Sequence, residues 1–264
     1  MDKNLSTAHV GPCAGPSRGR DESYVDVRVA AVYAALHGPG PDTDHYQRLA
    51  GAGPLDVLDV GCGTGRLSHV LVQQGHRVVG VDPSGAMLAE ARRRDPAHCA
   101  LWVVGDARAL RLGRRFDLVT MTGHAFQVLL DDSDMRLFLA GAHAHLRPGG
   151  RLAFETRNPA ARAWAEWTPA RSHRVVHVNG LGRVEVHHEV TDVAGERVTY
   201  QTVYRFGVDR DELITTSTLR FPSRETVTAA LLNAGFAPVT VRGSWDGSPI
   251  IPTSRELVVL AVRT

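Results

Sequence analysis

Three glycines at alternating positions, Gly61, Gly63 and Gly65, stand between the apolar run Leu55–Val60 and a helical pattern that begins near Thr64. Such a turn lets the backbone approach a ligand more closely than side chains would permit. Asp59 lies inside the preceding run. Two more carboxylates sit where strands should end. Asp82 closes the next apolar run, followed by Pro83, and a carboxylate there can accept from both hydroxyls of a ribose. Asp106, in Gly105-Asp-Ala107, closes the one after and is placed to accept from an exocyclic amine of adenine. Met87 and Trp102 either pack on that base or belong to the core. Arg66 occupies the position where a dinucleotide fingerprint needs a small residue. It therefore disfavours an alternative reading, an NAD-dependent oxidoreductase.

A second group of residues could act on an acceptor. Thr122-Gly-His-Ala-Phe-Gln127 follows a fourth strand, and the carboxyl ends of parallel strands border the ligand crevice. His124 is the candidate base or substrate orienter; otherwise it is a loop histidine that only packs. Phe126 and Gln127 are candidate substrate contacts. Glu155 ends strand five and either binds a substrate amine or pairs with Arg157 or Arg162. Trp164 and Trp167, three apart, share one face if helical, and line an aromatic pocket or pack beneath a neighbouring element. Tyr46 is the tyrosine of the N-terminal helices expected to reach substrate, whereas Tyr33 lies in an apolar stripe.

These residues need a frame. Strands at 55–60, 76–81, 101–104, 116–121 and 151–155 alternate with helices at about 64–74, from 84 to before Pro96, and at 131–146. That order implies a parallel sheet covered on both faces, with right-handed crossovers. Ahead of it, residues 1–20 read as a flexible arm, and 21–53 as a helical cap. The period changes after strand five. Segments 175–178, 183–191, 198–206 and 212–219 alternate polar and apolar residues, with turns at Val193-Ala-Gly-Glu196 and Gly207-Val-Asp-Arg210. Residues 172–221 thus form an antiparallel insertion that either closes a substrate pocket or makes a subunit contact. The α/β pattern then resumes over 222–264, so the main domain comprises 54–171 and 222–264.

Taken together, the motifs carry a resemblance. Val57-Leu-Asp-Val-Gly-Cys-Gly-Thr-Gly65, Val79-Gly-Val-Asp-Pro-Ser84, Gly105-Asp-Ala107, Phe116-Asp-Leu-Val119, Leu146-Arg-Pro-Gly-Gly-Arg-Leu152 and Ala234-Gly-Phe236 resemble the successive motifs of class I S-adenosylmethionine-dependent methyltransferases. The resemblance implies a Rossmann-like α/β sheet of seven strands, order 3-2-1-4-5-7-6 with strand seven antiparallel, here with an antiparallel β insertion after strand five. It implies S-adenosyl-L-methionine as cofactor. Gly61, Gly63 and Gly65 would line its amino-acid portion, Asp82 its ribose and Asp106 its adenine, and Asp59 would hold the glycine loop or receive the cofactor ammonium through water. The implied reaction is methyl transfer to an oxygen or nitrogen of a small metabolite, a natural-product intermediate among the options. A non-catalytic sensor or scaffold that binds the cofactor is the other alternative.

Composition bounds the rest. The net charge of +2 and the lack of a basic run argue against nucleic acid. Cys13, Cys62 and Cys99 are too scattered for a thiolate metal site or a disulfide framework. The thirteen histidines contain no HExxH arrangement, and His187 and His188 are adjacent, so no metal is expected. No apolar run approaches the ~18 residues of a membrane span. The expected setting is cytoplasmic, as a monomer or homodimer.

Overall fold

The computed structural model describes residues 24–207 and 211–264. The expected N-terminal arm, Cys13, and part of the turn at 207–210 lie outside the described residues. Two helices open the fold: α1 (Val27–Leu36), capped by the Asp26 side chain, and α2 (Pro41–Ala50), which has proline in its first turn. Strands β1 (Asp56–Val60), β2 (Arg77–Asp82), β3 (Leu101–Val104) and β4 (Phe116–Met121) alternate with α3 (Arg66–Gln73), α4 (Gly85–Arg93) and α5 (Asp132–His145). Strand β5 (Leu146–Arg157) is longer than expected and absorbs the Pro148-Gly-Gly150 segment. After the insertion come α7 (Arg224–Asn233), capped by Ser223, then β10 (Phe236–Arg242) and β11 (Glu256–Arg263).

The main sheet runs β3-β2-β1-β4-β5-β11-β10, with β11 antiparallel to β5 and all pairings from β1 to β5 parallel. This is the order and polarity that the motif resemblance implied. Side chains alternate across the pleat, so each strand feeds two cores. Leu58, Val60, Val119, Met121, Leu152 and Phe154 pack beneath Phe138 and Leu139 of α5 and Val227 and Leu231 of α7. Val57, Val78, Leu118 and Ala153 pack on the other face against Tyr46 of α2, Leu67 and Leu71 of α3, and Leu88 of α4.

The insertion comprises α6 (Pro169–Ser172) and a second, four-stranded antiparallel sheet. Its strands β6 (Arg174–Val178), β7 (Gly182–Ala194), β8 (Arg197–Phe206) and β9 (Asp211–Arg220) pair in sequence order, with a bulge in β7 between Val190 and Asp192. Val184, Val186, Tyr204 and Phe206 on one face meet Val29 and Val32 of α1. Arg28 of α1 stacks over Phe206 and pairs with Asp211 at 2.8 Å. The N-terminal helix and the insertion are therefore tied together over the carboxyl ends of the main strands. Among the described residues no helix is long and apolar enough to cross a membrane.

Candidate active site

The glycine turn is shaped by what surrounds it. Gly61 and Cys62 both donate backbone N–H bonds to the Val81 carbonyl, at 2.7 and 3.1 Å, stapling the loop to β2. Gly65 adopts φ +78° and starts α3; a Cβ there would stand 2.6 Å from Trp102 and 2.8 Å from His69. Only glycine fits such a position. Trp102 is therefore a wall behind the loop, with its indole N–H on Asp95 at 3.2 Å, and is not a partner for a base.

A cavity of about 700 Å³ opens on the other side of this loop. Gly61, Gly63, Asp82, Pro83, Met87, Asp106 and Ala107 line it. The Asp82 carboxylate accepts from the N–H groups of Gly63 and Ser84, at 2.9 and 2.8 Å. Burial raises the Asp82 pKa above the ordinary carboxylate value, and those two N–H bonds oppose the rise. Asp106 reaches the same wall, where Arg108 pairs with it at 2.6 Å. Gly65 and Gly105 stand behind the lining. Asp59 lies beneath the loop, fully buried, accepting from Ser68 Oγ at 2.7 Å and Thr120 Oγ1 at 2.9 Å. Burial lifts its pKa to about 6, and its position suits holding the loop more than meeting a ligand.

His124 also lines the cavity. It adopts a left-handed backbone, φ +62°, at the start of a short 3-10 turn, Ala125–Val128. Its N–H donates to Glu155 Oε1 at 2.8 Å, and Glu155 Oε2 accepts from the Tyr46 hydroxyl. Its ring Nε2 lies 2.8 Å from Glu256 Oε2. With that carboxylate accepting from Nε2–H, Nδ1 presents a lone pair and, among the described residues, meets no hydrogen-bond partner.

Several expected substrate contacts lie elsewhere. Glu155 and Tyr46 are sealed in the interior, at 0% and 1% exposure, and position the His124 backbone. Glu155 pairs with neither Arg157 nor Arg162. Phe126 stacks on Phe154 in the core, with ring centroids 4.2 Å apart. Gln127 is fully buried, donating to the Arg220 carbonyl at 2.9 Å and accepting from Arg157 Nη1 at 2.7 Å. Trp164 belongs to a 3-10 turn, Ala163–Glu166, and packs on Phe221; Trp167 follows that turn and does line the cavity. The shared helical face expected for the two tryptophans therefore does not form. Among the described residues no group of three or more His, Cys, Asp or Glu is placed to hold a metal ion.

Sequence spacing missed the rest of the lining. Arg157, His188, Tyr200, Thr202, Tyr204, Thr215 and Ser217 come from β5 and the insertion. Alternate positions on β7, β8 and β9 put these insertion residues on one face. Tyr33, assigned to the core by its apolar stripe, and His37 close the cavity from α1 and its end. Burial brings the His188 pKa down to about 4, with His37 and Arg157 adding like charge, so its imidazole is neutral at neutral pH. Glu256 is 132 residues from His124, and no local pattern links them.

Known proteins share this arrangement. A family model described as a methyltransferase domain matches residues 57–150. A cypemycin N-terminal methyltransferase from Streptomyces sp is 31% identical over 220 residues, spanning 80% of this chain and 85% of that protein. The chain belongs to the class I S-adenosylmethionine-dependent methyltransferases. A dTDP-3-amino-3,6-dideoxy-alpha-D-glucopyranose N,N-dimethyltransferase from Streptomyces fradiae is 30% identical over 203 residues, 69% of this chain and 76% of that protein. The solved structure of an S-adenosylmethionine-bound amino pentose methyltransferase from Micromonospora echinaspora, involved in calicheamicin biosynthesis, matches at 27% identity and a TM-score of 0.66. It covers 89% of this chain and 95% of that one.

The methyltransferase takes S-adenosylmethionine as its cofactor, and the residues present fit it. The loop leaves no side chain at Gly61 or Gly63, Asp82 is held at the end of β2 by two backbone donors, and Pro83, Met87 and Ala107 supply apolar surface nearby.

Proposed function

We propose that this methyltransferase acts on an amine nitrogen of a small natural-product intermediate, with residues 172–221 as its acceptor-binding element. The observation that carries this reading is one cavity with two differently built ends, the glycine loop at one and the insertion sheet at the other, with His124 among its lining. Nitrogen rather than oxygen is favoured by the two relatives described above, an N-terminal methyltransferase and an amino-sugar N,N-dimethyltransferase, which match 80% and 69% of this chain, whereas ubiquinone biosynthesis O-methyltransferases match only 54% and 58% of it. The cofactor supplies an electrophilic methyl group on a sulfonium. The protein's own work is orientation: placing a nitrogen lone pair in line with the methyl–sulfur bond recovers much of the barrier without covalent catalysis. Gly61, Gly63 and Asp82 would hold the cofactor. Tyr33, Met121 and Leu129 limit water near the transfer point. His124 Nδ1 accepts the proton that the acceptor ammonium must lose, and Glu256 stabilises the imidazolium formed.

The test supplies methyl-labelled S-adenosylmethionine with a panel of small amines and their hydroxyl counterparts, and follows labelled product by mass spectrometry. Label is expected on nitrogen. His124→Asn, which keeps a residue tolerant of the left-handed backbone, should lower the rate by roughly a hundredfold with cofactor binding unchanged. An unaltered rate removes His124 as the base. Label appearing only on hydroxyl acceptors refutes the nitrogen assignment.

A further inference from the structure

The acceptor end of the cavity holds a cation that the chemistry above does not use. Arg157 ends β5 and lines the cavity. Its Nη1 donates to Gln127 Oε1 at 2.7 Å, and its guanidinium lies over Trp167, 5.3 Å from the ring centroid. Those two contacts fix it. Gln127 is itself fully buried and anchored on the Arg220 carbonyl, and Trp167 is wedged between Tyr200 and Phe221. Among the described residues no carboxylate lies within ion-pair distance of it. Glu256 faces it across the β5–β11 register but is bonded to His124. A guanidinium carries five N–H donors, and none of the Arg157 nitrogens is both buried and unbonded. Its remaining donors are open to the cavity.

The lining is also electrically polarised. Its acidic side chains are Asp42, Asp82 and Asp106, all beside the glycine loop or the ends of β2 and β3; Arg66 pairs with Asp42 and Arg108 with Asp106, so Asp82, held by backbone N–H groups, is the carboxylate left to face a sulfonium and an ammonium. The insertion end contributes hydroxyls from Tyr200, Thr202, Thr215 and Ser217, a neutral imidazole from His188, and the Arg157 charge. A fixed, unneutralised guanidinium in a low-dielectric recess is costly unless its ligand is an anion. Its planar fork matches an oxyanion through two parallel N–H bonds.

Building on the proposed methyl transfer, we infer that the acceptor carries an oxyanion, a carboxylate or a phosphate, and that Arg157 binds it. The enzyme would then select acceptors whose nucleophile and anion are spaced to reach His124 and Arg157 together. An amine lacking the anion would leave the guanidinium buried and unpaired, and would be rejected.

The test saturates the protein with S-adenosylhomocysteine, then titrates acetate, inorganic phosphate and uncharged acetamide by calorimetry. One of the two anions should bind roughly tenfold or more tightly than acetamide, and the stronger one distinguishes a carboxylate from a phosphate acceptor. Arg157→Gln should erase that preference, and Arg157→Lys should keep part of it. S-adenosylhomocysteine should bind all three proteins equally. Equal binding of anions and acetamide by the wild type overturns the inference, as does a preference that survives in Arg157→Gln. If Arg157→Gln no longer binds S-adenosylhomocysteine, it has lost its fold, and the wild-type preference decides alone. A wild type that fails to bind S-adenosylhomocysteine contradicts the methyltransferase reading instead.

Discussion

The two ends of the cavity are built by different means. At the end proposed to hold the cofactor the polar groups are backbone N–H donors and carboxylates at strand ends, each within a few residues of a strand-to-helix turn. Gly63 lies in the turn after β1 and Asp82 ends the adjacent parallel strand β2, and their contact follows from the β1–β2 register. The end proposed to take the acceptor is lined by side chains from α1, β5, β7, β8 and β9. Arg157 is held by a glutamine 30 residues earlier and by a tryptophan after the next turn. The comparison teaches that a site made of backbone tolerates little local change, whereas one made of side chains can be retuned for another acceptor by substitutions on one sheet face.

That contrast can be broken most sharply at the glycine turn. Gly65→Val places a branched side chain at positive φ and drives its Cβ into Trp102, so it should cost about 3 kcal/mol of stability. Gly63, also at positive φ but with nothing within 4 Å of its missing Cβ, should cost only about 1 kcal/mol as Gly63→Ala. Thermal unfolding of the two variants compares crowding with backbone strain; equal losses would mean that Trp102 yields freely.

Asp82→Ala tests the carboxylate itself. It leaves the Gly63 and Ser84 N–H groups without their acceptor and removes the expected ribose contact, so S-adenosylmethionine should bind roughly thirtyfold to a hundredfold more weakly. Calorimetry measures it, and near-normal affinity would move the ribose elsewhere.

Acid should strain the acceptor end. His188 has a folded pKa of about 4 against the ordinary histidine value of 6.5. Between those values the unfolded chain binds a proton that the folded one refuses. Its contribution to stability is therefore complete above pH 6.5 and is lost as pH falls toward 4. By pH 4.5 the loss is on the order of 2 kcal/mol, and His188→Gln should remove that part of the acid sensitivity. Melting curves at pH 7 and pH 4.5 for both proteins check it; identical acid shifts would mean that the imidazole titrates normally. Asp82 has the opposite sign: its raised pKa makes its contribution decline as pH rises through the folded value.

Legibility followed the same division. Gly61, Gly63, Asp82, Met87 and Asp106 reached the cavity because a strand period, a glycine turn and a strand-end carboxylate each act over a few residues. His124 was reachable because it follows β4, but its partner Glu256 was not, since antiparallel pairing of β11 with β5 brings it there from 132 residues away. Gln127 and Glu155 looked like contacts because polar residues near strand ends usually face a ligand, and Tyr46 because it lies in the N-terminal helical cap. Here each polar atom found an internal partner, and burial followed from that pairing.

By itself the sequence determined the strand and helix alternation, the family motifs and therefore the cofactor end, because those depend on spacing along one strand or across one turn. The tertiary structure alone decided which face of the insertion turns inward. It also decided that Trp167 and not Trp164 meets the cavity, and that Arg157 stands there with no carboxylate of the described residues at ion-pair distance. Those outcomes depend on register between distant strands and on which buried polar groups satisfy one another, and neither is written in local spacing.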